Sequence, residues 1–288
     1  MSIQRWGQRC LRLTSSTLDM DWAEIEAKIV RFIRDYVKKS GTKGIVLGLS
    51  GGVDSSTVAA LSSKAVGGKN VLGLLLPEEE TRSKTDIQHA KTVAERFGLR
   101  SQICDITKTL EAFYSSIPVF DPVDYVCKGN IKARTRMIHI YYYANKLNLL
   151  VCGSSDKSET MMGYFTKWGD VAADISPLMD LYKTQVLGLA RQIGVPETII
   201  KKPPSPALWP GQTAEKELGV NYGVLDLVLY GLERFTAEAD IAKQLGISEE
   251  LVKRIEKRWL QSEHKRRMLL TSKLQYRTVG MDFRIRRG

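Results

Sequence analysis

The chain has 288 residues, is 43% hydrophobic and carries a formal net charge of +11. That length can bury a sizeable core and suits one large domain or one domain with a small appendage, and no apolar run approaches the roughly 20 residues of a membrane-crossing helix, so no membrane partner is expected. The positive balance suits an anionic partner, whether nucleic acid, an acidic surface or a phosphorylated small molecule.

The first 19 residues carry Arg5, Arg9 and Arg12 and no acid before Asp19, and read as a disordered leader, with Met20 a natural start. Residues 21–39 are amphipathic at helical spacing, capped by Asp21 and ended by Ser40-Gly41. Residues 45–49 form a short apolar strand that runs into Ser50-Gly51-Gly52-Val53-Asp54-Ser55, and a helix over 56–65 leaves that loop. Strands are expected at 71–76, 101–105 and 148–152, and helices at 85–97, 107–114, 129–147 and 181–193. Short apolar strands alternating with helices imply a doubly wound α/β fold, its mainly parallel sheet covered on both faces. Residues 201–212 hold four prolines and read as a mobile loop, followed by helices over 221–235 and 236–274. The domain is expected to span 20–275, with a basic tail at 276–288. Cys10, Cys104, Cys127 and Cys152 lack metal-ligand spacing and no secretory signal is apparent, so a cytoplasmic protein with reduced thiols is expected.

A glycine-rich turn between strand and helix aims several backbone N–H groups at one point, where the helix adds partial positive charge. Gly51 and Gly52 admit an anion closely, and Ser50 and Ser55 add hydroxyls. Asp54 would repel phosphates unless a divalent cation lay between, so the loop predicts Mg²⁺ beside a nucleotide. No lysine follows the glycines, which excludes the GxxxxGK[ST] phosphate loop, and the GxGxxG dinucleotide fingerprint is absent too.

The Ser-Gly-Gly-Val-Asp-Ser run resembles the loop of the N-type ATP pyrophosphatases, which implies attack at the α-phosphorus of ATP. Later motifs narrow the resemblance. They include Gly129-Asn130-Ile131-Lys132-Ala133-Arg134, the Gly153–Glu159 segment, Gly163-Tyr164-Phe165-Thr166-Lys167, Asp174-Ile175-Ser176-Pro177-Leu178, Tyr182-Lys183-Thr184, the proline loop from Lys202 to Gln212, and Glu263-His264-Lys265-Arg266-Arg267. In this order they are similar to the ammonia-dependent NAD synthetases over nearly the whole chain. The resemblance implies a ligase that amidates deamido-NAD. It carries ATP contacts onto Gly48, Leu49, Ser50, Gly51, Gly52, Val53, Asp54, Ser55, Ser154, Lys183 and Ser205. Mg²⁺ would lie on Asp54 and Glu159. Contacts to deamido-NAD would come from Arg134, Lys167, Asp174, His264 and Lys265, and the assembly would be a homodimer. Asp54, Lys183 and Asp174 are the candidate catalytic residues, with Asp174 placed to take a proton from ammonium. Arg134 and Arg136 sit two apart on a helix, so at most one can face the site. The stretch before the glycine loop leaves no room for a glutaminase domain, which makes free ammonia the expected nitrogen donor.

Two rivals remain open on sequence. Another adenylating enzyme, such as a tRNA-thiolating one, would bring paired cysteines or an RNA-binding extension. Residues 240–255, with Gly246 at their turn, also read as a DNA-binding helix-turn-helix. Glu249 and Glu250 at the start of its second helix oppose phosphates, so no nucleic-acid partner is expected.

Overall fold

The computed structural model describes residues 12–269, 271–274, 276 and 278. Four parallel strands, β1 (Ile45–Gly48), β2 (Val71–Leu75), β3 (Arg100–Ile103) and β4 (Leu150–Val151), lie in the order β3-β2-β1-β4. The helices up to the last strand are α1 (Trp22–Ser40), α2 (Val53–Val66), α3 (Lys84–Arg96), α4 (Thr107–Ser116) and α5 (Tyr125–Leu147). After it come α6 (Lys157–Met161), α7 (Lys183–Ile193), α8 (Glu197–Ile200), α9 (Ala214–Leu218), α10 (Tyr222–Leu232), α11 (Glu238–Leu245), α12 (Glu249–Gln261) and α13 (Glu263–Arg266). No helix among the described residues is long and apolar enough to cross a membrane.

The strand pleat divides the core. Ile45, Leu47, Val71 and Leu75 turn to one face, where they meet α1, α2, α3 and α7. Val46, Leu72, Leu74 and Val151 turn to the other, against α4 and α5. Each fully buried aliphatic side chain of this kind contributes about 1.5–3 kcal/mol. A third cluster lies in the helices after α9 and includes Leu225, Val228, Ile241, Val252 and Ile255. β3 is the exposed edge, and Arg100 and Gln102 on it discourage pairing with another chain.

The helix ends follow local chemistry. Asp21 accepts from Glu24 N–H at 3.0 Å to open α1, and Asp124 accepts from Cys127 N–H at 2.9 Å to open α5. Several boundaries differ from expectation. The helix after the glycine loop starts at Val53 instead of residue 56: Ser56 N–H already donates to Gly52 O at 3.1 Å, and the hydroxyls of Ser55, Ser56 and Thr57 donate to the carbonyls of residues 52 and 53. The stretch 236–274 is not one helix. It breaks at Gly246, which takes a φ of +64° as the C-cap of α11, and again at Ser262, and it ends at Arg266. The leader expected over 1–19 is corrected from residue 12 on: Leu13 and Leu18 are buried in the C-terminal helical cluster, and Gln185 Nε2 donates to Leu18 O at 3.1 Å. Residues 1–11 lie outside the described residues, as does most of the basic tail.

The strand order positions the site. The chain runs outward from β1 through β2 to β3, then returns to the opposite side of β1 as β4. Loops leaving β1 and β4 therefore diverge, and the crevice between them, outside the carboxyl ends, is where doubly wound sheets take ligands.

Candidate active site

The loop after β1 is built from its own hydroxyls. Ser55 Oγ accepts from Ser50 N–H at 3.2 Å and lies 3.0 Å from Ser50 Oγ. Gly52 caps α2 without any side chain, so the first N–H groups of that helix are left for an anion. Gly51 has a φ of +79°, and a Cβ there would stand 2.3 Å from Asp86 O. The loop thus rests on the start of α3, and no other residue fits at that point.

Across the crevice, Asp156 opens α6 by accepting from Glu159 N–H at 2.8 Å through Oδ1. This cap turns Glu159 toward α2. Lys183, the first residue of α7, is fully buried, and its Nζ lies 2.7 Å from Asp54 Oδ2, 2.7 Å from Asp156 Oδ2 and 3.0 Å from Glu159 Oε1. The contact to Asp156 Oδ2 is an ion pair without hydrogen-bond geometry, and Asp54 Oδ1 is buried with no hydrogen-bond partner at all. Three acids share one lysine. Burial pushes the Glu159 carboxyl up to about 8, with Asp156 and Asp54 adding to the rise and Lys183 opposing it. Asp156 is raised for the same first reason, burial, which outweighs Lys183. For Lys183, burial favours the neutral amine, but Asp156, Asp54 and Glu159 outweigh it and hold the ammonium charged well beyond its usual range.

One ligand oxygen from each of Asp54, Asp156 and Glu159 lies within 4.8 Å of the others. These are hard oxygen donors, three carboxyl groups to a single lysine, with a buried and unpartnered oxygen on Asp54. The set fits a divalent cation such as Mg²⁺.

The structure therefore brings Asp54, Glu159 and Lys183 into one cluster beside the loop from Gly48 to Ser55. Ser154 is half-buried, three residues beyond β4. Ser205 is not joined to the cluster: it is exposed, donates to Gln212 O at 2.6 Å and accepts from Ala207 N–H, tying the proline loop to itself. That loop is docked at its start, by Lys202 on Asp86, and along its middle, where Leu208 O accepts from Lys132 Nζ at 2.9 Å.

The remaining candidates form a second group. Arg134 is exposed and donates to Lys167 O at 3.2 Å; Lys167 Nζ donates to His264 O at 2.6 Å; Lys265 Nζ donates to Gly163 O at 2.5 Å. Gly163 has a φ of +60°, and a Cβ there would meet Ser262 Cβ at 2.3 Å, so the 163–167 turn seats directly on the α12–α13 junction. Arg136 points elsewhere, to Leu76 O at 3.3 Å. Asp174 stands apart from both groups. Its Oδ2 accepts from Val151 N–H at 2.8 Å, and Tyr141 OH approaches Oδ1 at 3.5 Å. The 2.8 Å bond ties the carboxylate to the backbone of β4.

Sequence reasoning missed Asp156 and Asp226. Asp156 had a signal, because Asp followed three residues later by Glu is a helix-opening pattern. Asp226 is an acid inside the apolar run Val224–Leu229, and it is completely buried.

The chain is similar to known proteins over most of its length. Residues 25–269 match the NAD synthase family profile. An NH₃-dependent NAD⁺ synthetase of Pyrococcus furiosus is 45% identical over 248 residues, covering 86% of this chain and 95% of that protein. Among solved structures, NMN synthetase from Francisella tularensis superposes with a TM-score of 0.78 at 36% identity, over 88% of this chain and 99% of that one. The NH₃-dependent NAD synthetase of Campylobacter jejuni gives 0.74 at 32% identity, over 88% and 100%. With a match running from α1 to the end of α13, the chain belongs to the NAD synthase family.

Proposed function

We propose that this enzyme amidates deamido-NAD with free ammonia, at the expense of ATP, to give NAD, AMP and pyrophosphate. The observation that carries the reading is the buried lysine and its three acids beside an uncapped helix N-terminus, at the sheet's switch point. ATP phosphates would lie on the amides of Gly48 to Ser55, with the hydroxyls of Ser50, Ser55 and Ser154 and the ammonium of Lys183 around them. Ser205 would join only if the proline loop rearranged. Deamido-NAD would lie along Arg134, Lys167, His264 and Lys265. Asp54 and Glu159, with Asp156, would hold Mg²⁺, which when bound neutralises charge on the departing pyrophosphate.

In the reaction, the nicotinate carboxylate oxygen bonds to the α-phosphorus as the bond to the bridging oxygen breaks and pyrophosphate leaves. Lys183 and the loop amides stabilise the leaving charge. Ammonia then bonds to the acyl carbon, AMP leaves with the electron pair, and the amide nitrogen loses a proton. No protein nucleophile is needed, so the chain acts by orientation and by excluding water. Asp174 remains the candidate acceptor for the ammonium proton, and its anchored carboxylate fits a fixed base better than a mobile one.

A cytoplasmic homodimer is part of the same reading. The test is pyrophosphate release with ATP, Mg²⁺ and deamido-NAD, comparing ammonium with glutamine. Ammonium alone should suffice, and Asp54→Asn should lower turnover by at least ~100-fold. Near-normal turnover in that variant would remove the metal assignment. The similarity to an NMN synthetase favours one second reading, in which the acid mononucleotide is the acceptor. Replacing deamido-NAD with nicotinate mononucleotide in the same assay separates the two.

A further inference from the structure

At the start of helix α7, Gln185 Oε1 accepts from Tyr182 N–H at 2.9 Å, but this local bond does not reach the next two N–H groups. Its N-cap residue is Tyr182, and the N–H groups of Lys183 and Thr184 find partners outside the helix. Lys183 N–H donates to Ser158 Oγ at 2.9 Å, and Thr184 N–H donates to Asp226 Oδ2 at 2.8 Å. Ser158 Oγ in turn donates to Asp226 Oδ1 at 2.6 Å. One carboxylate from α10 thus closes a loop through the first turns of both α6 and α7. One turn earlier on α10, Tyr222 holds its ring 5.4 Å from Lys183 Nζ.

A local cap would satisfy the same N–H groups equally well. It would not fix α7 relative to α6. Ser158 is the neighbour of Glu159, and Thr184 is the neighbour of Lys183, so the Asp226 contacts act on both partners of the Glu159–Lys183 pair at once. Asp226 is wholly buried, and water cannot take over its role. Burial pushes its carboxyl up to about 7, which the bonds from Ser158 and Thr184 oppose. We infer that Asp226 is a positioning residue for the ATP chemistry, setting the place of Lys183 among Asp54, Asp156 and Glu159 through Ser158 and the start of α7. The inference rests on Lys183 acting on ATP.

The test compares Asp226→Asn, Ser158→Ala and their double variant, with Lys183→Gln alongside, in the pyrophosphate assay with ATP, Mg²⁺, deamido-NAD and ammonium. Asparagine can still accept from Thr184 but turns an N–H toward Ser158, whose hydroxyl then has no acceptor. Misplacing Lys183 should lower kcat ~10-fold or more in each single variant, with KM for deamido-NAD within about twofold. The double variant should lose no more than the worse single one, because both act through one chain of bonds. Unchanged kcat per folded molecule in Asp226→Asn, with only a lower melting temperature, would overturn the inference and leave the function intact. Full activity in Lys183→Gln would overturn both. If Asp226→Asn does not fold, Ser158→Ala carries the test alone: a normal kcat there also overturns the inference.

Discussion

Lys183 is the one cation in contact with Asp54, Asp156 and Glu159 among the described residues, and it has no access to water. Removing one partner of a buried ion pair leaves uncompensated charge, which typically costs 3–5 kcal/mol. Lys183→Met should therefore lower the urea midpoint by about that amount of stability. Added Mg²⁺ should raise the variant's midpoint more than the wild type's, since the freed carboxylates gain a counterion. An equal effect of Mg²⁺ on both proteins would argue against the acids as its site. Asp54 was legible because a carboxylate inside a phosphate loop makes no sense without a cation. Asp226 was not, because its partners lie on α6 and α7, far away in sequence, and a lone acid in an apolar helix looks the same whether it is bonded or misplaced.

Among elements, the proline loop and α5 are joined by a second buried lysine. Lys132 Nζ lies 2.8 Å from Glu78 Oε1, 2.7 Å from Glu80 Oε2 and 2.9 Å from Leu208 O. Glu78 and Glu80 follow β2, so the lysine fastens the β2 exit to the loop. Burial would raise both carboxyls, but Lys132, joined by Thr81 and Glu80 N–H on Glu78 and by Lys128 on Glu80, outweighs it and holds them below their usual range. Glu80 is about a third exposed, so solvent screens part of the interaction. Lys132→Met should cost about 3 kcal/mol, the lower end for a broken buried pair, and should speed proteolytic cleavage within residues 203–212. Unchanged cleavage would show that Lys202 on Asp86 suffices to dock the loop. The order of strands and helices was readable because apolar period and turn residues are local properties. The docking of this loop was not, since four prolines announce only the lack of a helix.

For the whole molecule, α5 presents apolar surface that none of the described residues covers. Ile138 and Tyr142, one turn apart, are exposed, and Phe113 of α4 is also open to solvent. Of the three consecutive tyrosines, Tyr141 and Tyr143 pack on the core beneath. Phe120 stacks on Tyr114 with ring centroids 4.5 Å apart, so it is not free for a partner. A second copy of the chain is the expected cover. Sedimentation should find a dimer, and Ile138→Asp should shift it toward monomer; an unchanged sedimentation coefficient in the variant would place the contact elsewhere. The helix pair α11–α12 does have a tight turn at Gly246, but Val252 and Ile255 face the C-terminal core and Glu249 pairs with Lys253. It is a packing hairpin.

The order in which the acids and the lysine occur along the chain has a consequence for biosynthesis. Asp54, Asp156 and Glu159 leave the ribosome before Lys183, and Asp226 follows later still. At ~5–20 residues per second, the nascent chain spends a second or more carrying three acids with no lysine to meet them. All four strands have been made by then, yet closing the crevice at that point would bury unpaired carboxylates, which is unfavourable. The crevice thus waits for α7, and a chain cut off after α6 would leave Asp54, Asp156 and Glu159 without Lys183 and one face of the sheet without Val186, Leu189 and Ile193.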